Sequence, residues 1–97
     1  MLKVSLIALF GLSSAMAFAK VNINTATLDE LMMLKGIGEV KAQAIIEYRE
    51  ANGDFTALEE LTNVSGIGSA IYERLQADLA LTGETDFTDV NPDNLKK

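Results

Sequence analysis

The chain has 97 residues, carries a net charge of −6 at neutral pH, and contains neither Cys nor His. The two absences remove disulfides, the thiol and imidazole nucleophile–base pairs and the usual Zn²⁺ ligands, which leaves carboxylates, a few lysines and, beyond residue 19, Ser65 and Ser69. No enzyme, no metal site and no cofactor is expected on that inventory, and the acidic balance means that any affinity for a polyanion must come from a local arrangement rather than from the field of the whole protein.

The first segment reads as an export signal. Lys3 supplies a positive start, residues 4–12 an apolar run, and Ala17-Phe18-Ala19 the small-x-small pattern of a cleavage site before Lys20. Ala15-Met16-Ala17 offers a second cut, before Phe18. The rival reading is an uncleaved anchor, but the apolar stretch falls short of the roughly 20 residues a spanning helix needs and contains Ser13 and Ser14. Loss of Lys3 with residues 1–19 takes the net charge from −6 to −7. A single domain over residues 20–81 follows, with helix packing as its source of stability, and residues 82–97 read as an acidic flexible tail.

Val21-Asn22-Ile23-Asn24 is expected to be extended, with Val21 and Ile23 on the core. Thr27-Leu28-Asp29-Glu30 is a capping box that opens a short apolar helix. The helix stops at Gly36-Ile37-Gly38, where the first glycine takes a positive φ, Ile37 points inward, and the second glycine admits a tight turn into a new helix. That helix is predicted from about residue 39 to residue 51, with Ala42, Ile45 and Ile46 on one stripe and Glu39, Gln43, Glu47 and Glu50 opposite. Asn52-Gly53-Asp54 ends it, and Phe55 anchors the next stretch.

A shift of 30 residues then places Leu28, Glu30, Leu31, Gly36, Ile37 and Gly38 on Leu58, Glu60, Leu61, Gly66, Ile67 and Gly68. The unit occurs twice. Thr56-Ala57-Leu58-Glu59 is read as a second capping signal, and Ile67, Ile71, Leu75 and Leu79 recur every four residues on the core side. The expected fold is all-α, four short helices and a connector with pseudo-two-fold symmetry.

The amides that follow Gly36 and Gly66 lack helical acceptors and sit at the positive end of a helix dipole, a natural nest for phosphate. Lys35 and Lys41 flank the first turn, whereas Ser65, Ser69, Ala70 and Ile71 surround the second without a cation. The bland alternatives are a ligand-free Gly-Ile-Gly connection and, for Lys41, an ordinary solvated helix lysine. Arg49 and Arg74 are expected to pair with carboxylates such as Asp54, Glu73 or Asp78. Asp86, Asp89 and Asp93 lack the spacing of a calcium loop.

The residues Val21-Asn22-Ile23-Asn24-Thr25-Ala26-Thr27, Glu30-Leu31, Leu34, Gly36-Ile37-Gly38, Lys41-Ala42, Ile45-Ile46, Tyr48-Arg49, Gly53, Phe55, Leu61, Val64 and Gly66-Ile67-Gly68 resemble the DNA-binding domain of the ComEA family. The resemblance covers residues 21–81. It implies a tandem helix-hairpin-helix fold and a non-enzymatic receptor that holds double-stranded DNA outside the inner membrane during natural transformation, here free in the periplasm and working with periplasmic or inner-membrane DNA-uptake proteins. Carried over position by position, it implies backbone contacts to DNA at Gly36, Gly38, Val40, Gly66, Gly68 and Ala70, with Lys41 as the basic side chain; Lys35 and Ser69 join the expected site from the reading of the turns. The family often has Pro where this chain has Lys35 and Glu39, and Lys just past the second turn where it has Ala70-Ile71. The runner-up reading is a periplasmic protein-docking module that has kept the fold, with Phe87, Val90 and Leu95 of the tail ordering against a basic partner.

Overall fold

The computed structural model describes residues 20–96, so the proposed export signal lies outside the described residues. Its elements in chain order are β1 (Val21–Asn22), α1 (Leu28–Met32), α2 (Glu39–Asn52), a 3₁₀ helix (Leu58–Asn63), α3 (Ser69–Leu75) running into a 3₁₀ turn (Gln76–Asp78), β2 (Leu79–Ala80) and a final 3₁₀ turn (Pro92–Asn94). The all-α expectation holds, with one addition: β1 and β2 form a two-residue parallel pair, Val21 opposite Leu79 and Asn22 opposite Ala80, which closes the end of the second unit onto the start of the first.

The internal repeat is visible in the core. Leu31 and Leu61, Leu34 and Val64, Ile37 and Ile67, and Ile45 and Leu75 are each 30 residues apart and all are buried. Burial of such side chains contributes about 1.5–3 kcal/mol apiece, so the repeat is chiefly a repeat of core positions. Val21, Ile23 and Phe55 join this core, as their sequence context suggested.

The Asn-Ile-Asn start is a polar tie as well as an apolar one. Asn24 Oδ1 accepts the Phe55 amide at 2.6 Å, and its Nδ2 donates to the carbonyls of Phe55 and Leu81 at 3.1 and 3.0 Å. Asn22 donates from Nδ2 to Gly83 O at 2.6 Å and accepts the Asn24 amide at 2.8 Å. Arg49 departs from expectation: instead of pairing with a carboxylate it donates to the carbonyls of Ile23 and Ala26 at 2.9 and 2.8 Å. Those carbonyls have no helical partner, and the guanidinium fork reaches both at once.

The two first helices differ. Thr27 caps α1 as expected, its Oγ1 accepting the Glu30 amide at 3.1 Å while Glu30 Oε1 accepts the Thr27 amide at 2.9 Å. In the second unit Ala57 stands where Thr27 stands in the first, and Thr56 is one residue too early. Thr56 therefore gives its amide and hydroxyl to the Glu60 carboxylate at 3.2 and 2.7 Å and caps no amide. The segment closes as a 3₁₀ helix, with Glu60 N–H donating to Ala57 O and the Thr62 hydroxyl bonded to Glu59 O.

Residues 82–96, expected as part of a flexible tail, lie on the domain instead. Lys20 pairs with Thr85 and Leu34 with Leu95 as isolated bridges, Val90 is buried, and Phe87 and Leu95 pack against the core. The buried Asp78 carboxylate gathers the segment, accepting the Asn91 amide at 3.2 Å and Asn94 Nδ2 at 2.7 Å, with Lys20 Nζ at 3.7 Å. On the exposed side the Thr88 hydroxyl and amide hold the Asp86 carboxyl below its ordinary range. Low apolar content suggested disorder, but three apolar side chains and one buried carboxylate are enough to dock the strand-like chain.

Candidate nucleic-acid interface

The first turn is built from Leu34 inward. Leu34 and Ile37 are buried, the Ile37 amide donates to Leu34 O at 3.1 Å, and Gly36 takes φ +90° to bring the chain round. An L side chain is strained at that φ, which accounts for glycine there. Gly38 is the N-cap of α2 in extended geometry, and the first ladder bond is Ala42 N–H to Gly38 O at 2.9 Å. The amides of Glu39, Val40 and Lys41 therefore precede the ladder and face outward at the start of a 14-residue helix.

The second turn repeats this at nearly the same angles. Gly66 has φ +89°, Ile67 is buried, Gly68 is the extended N-cap of α3, and the first ladder bond is Tyr72 N–H to Gly68 O at 3.1 Å. Ser69 and Ala70 are exposed beside it. Neither Gly38 nor Gly68 has positive φ, and a Cβ at either would meet nothing within 4 Å. Packing within the chain does not demand glycine at these two positions, whereas close approach by an outside group would.

Lys41 joins the two turns. Its stem crosses from α2 to the second turn, so that a Cβ on Gly66 would lie 3.4 Å from Lys41 Cγ and 3.7 Å from Cε. The second turn, without a cation of its own in the sequence, has the stem of this lysine from the first unit packed beside it. Lys35 is exposed, and Val40 is 83% exposed. An open groove of about 460 Å³ runs between the start of α2 and Ser65, lined by Glu39, Val40, Gln43, Ala44 and Glu47. Its two carboxylates, Glu39 and Glu47, make the groove unfavourable for an anion. On α3, partial burial and the carboxylates of Glu59 and Glu73 push the Tyr72 hydroxyl above its ordinary pKa, so it stays protonated.

One functional candidate was hidden from sequence reasoning. Lys96 donates from Nζ to Ile37 O at 2.6 Å, placing a third lysine at the first turn. No local pattern announces it; only the docking of the C-terminal segment brings it there. Arg74, expected in an ion pair, contributes its carbonyl to Asn94 Nδ2 at 3.1 Å. Among the described residues no cluster of acidic side chains is arranged to hold a metal ion, and no helix is long and apolar enough to cross a membrane.

Comparison with known proteins agrees with this geometry. The helix-hairpin-helix motif family matches residues 8–80. The chain is 51% identical over 63 residues to ComE operon protein 1 of Bacillus subtilis, a match covering 65% of this chain and 31% of that protein. It is 52% identical over 56 residues to an uncharacterized protein of Haemophilus influenzae, covering 57% of this chain and 50% of that one. An endonuclease/exonuclease/phosphatase family domain-containing protein 1 from Xenopus laevis is 40% identical over 78 residues, 80% of this chain and 14% of its own length. The chain thus spans half or less of each of these relatives.

Proposed function

From a chain that belongs to the helix-hairpin-helix family, and within it to the ComEA group, we propose a protein that grips the sugar–phosphate backbone of double-stranded DNA without reading its sequence. The group is non-enzymatic, and the likeness to the Xenopus protein touches 14% of that protein's length. Exported on residues 1–19 and released into the periplasm, this protein would act as a DNA-uptake receptor in natural transformation, with other uptake proteins as partners. The observation that carries the reading is Lys41 lying across Gly66, which makes one surface of two amide-bearing turns. Gly36, Gly38, Val40, Gly66, Gly68, Ser69 and Ala70 supply backbone to that surface, and Lys35 and Lys41 supply charge. Backbone amides contact phosphate without distinguishing bases.

Few cations release few counterions. Binding is expected in the micromolar range, with a slope of log K against log salt of about −2 to −4 for two to four neutralised phosphates. The test is a fluorescence-anisotropy titration of the mature protein with a random-sequence duplex at low salt, beside a Lys35→Glu/Lys41→Glu variant. Saturable binding that is lost in the variant and indifferent to base sequence supports the reading. Absence of binding at high micromolar protein refutes it and favours protein docking. That second reading keeps one feature, the exposed Val40 beside the acidic groove, but the tail residues first assigned to it are packed against the domain.

A further inference from the structure

We infer that the C-terminal segment is a clasp that makes Lys96 part of the phosphate-binding surface at the first turn. This rests on the DNA-backbone reading above and adds to it a residue from outside the repeated units. The segment is held on both sides of its pairing with residues 33–35: Lys35 N–H donates to Asn94 O at 2.7 Å, and Lys96 N–H donates to Met33 O at 2.9 Å. Leu34 and Leu95 face each other between these bonds. Below them the buried Asn94 side chain is fastened to Arg74 O and Asp78 Oδ2. The Lys96 backbone is therefore positioned by main-chain bonds rather than by its own side chain.

Its ammonium lies 2.6 Å from Ile37 O. That carbonyl belongs to the same peptide group as the Gly38 N–H, the amide at the N-cap of α2. A phosphate oxygen accepting from the Gly38 amide would sit within about 8 Å of the ammonium, with one peptide group and a hydrogen bond at each of its ends between them. The screening length at physiological ionic strength is also about 8 Å, so the attraction survives in part. An ammonium has three donors and Ile37 takes one; the exposed Lys96 keeps two, on a flexible stem that can turn toward a ligand. Glu39 sets a carboxylate at the start of α2, and Lys96 supplies a charge to oppose it where Lys35 and Lys41 would otherwise act alone.

The experiment measures duplex affinity of the mature protein as a function of salt for wild type, Lys96→Gln, Lys96→Arg and Asn94→Ala, with Arg74→Gln as a charge-matched control and circular dichroism to show that each is folded. Lys96→Gln is expected to weaken low-salt binding about five- to tenfold and to reduce the salt slope by about one, Lys96→Arg to retain both, and Asn94→Ala to mimic Lys96→Gln by loosening the clasp. Arg74→Gln should leave the slope close to wild type. Wild-type binding that Lys96→Gln leaves unchanged overturns this inference and spares the DNA reading. Weaker binding at an unchanged slope overturns it too, because it reveals a lysine that only supports the turn. A wild-type protein that fails to bind duplex overturns both.

Discussion

The two hairpins share a turn and a set of core positions and differ in the helices and the charge around it. Gly36 and Gly66 have φ of +90° and +89°, and Ile37 and Ile67 are both buried plugs. Yet the first turn joins a capped α-helix to a 14-residue helix, while the second joins a 3₁₀ helix to a seven-residue helix. The first turn has Lys35, Lys41 and Lys96 around it, and the second receives only the stem of Lys41. A Gly-Ile-Gly turn is thus a local solution set by backbone freedom and one buried side chain, and it tolerates unequal helices on either side. The charge around it comes from its own flanks at the first turn, Lys35 and Lys41, and from the distant Lys96.

The largest effect that breaks the comparison comes from the plugs. Ile37→Ala and Ile67→Ala should each cost about 2–5 kcal/mol of stability, read as a fall in the urea midpoint. Because the first unit is fully packed around Ile37 and the second leaves Ile67 slightly exposed, Ile37→Ala should be the costlier; equal costs would show the two units to be energetically alike despite their different helices.

Replacing the positive-φ glycines sharpens the point. Gly36→Ala and Gly66→Ala each force an L side chain into left-handed backbone and should destabilise by about 1–2 kcal/mol. Space around Gly36 is open, but a methyl group at Gly66 would stand in van der Waals contact with the Lys41 stem. In duplex titrations of folded protein Gly66→Ala should therefore lose more affinity than Gly36→Ala. The opposite order would mean that the Lys41 crossing does not matter to the surface.

The smallest effect lies in the caps. Thr27→Ala removes the capping box and should cost about 1 kcal/mol, whereas Ala57→Thr places the missing hydroxyl in the second unit and should stabilise it by less than that. Amide exchange across residues 58–63 should slow in Ala57→Thr if the cap draws the 3₁₀ segment toward an α-helix. Unchanged exchange would assign the 3₁₀ geometry to Thr62 and Asn63 rather than to the absent cap.

By itself the sequence determined the repeat, the two glycine turns, the Thr27 cap, the buried plugs and the helical class, because each depends on φ preferences, capping groups or apolar spacing within one or two turns of chain. It misjudged what depends on partners far along the chain. Arg49 leaves the carboxylates because two free carbonyls 23 and 26 residues away fit its fork better. The C-terminal segment has too little apolar content to fold alone, so composition pointed to disorder. Tertiary structure decided otherwise, since the buried Asp78 offers acceptors to Asn91 and Asn94 of that segment, with Lys20 beside them. Lys41 over Gly66 and Lys96 on Ile37 follow from the same cause: residues 25 and 59 positions apart meet only after the two units have packed and closed on each other.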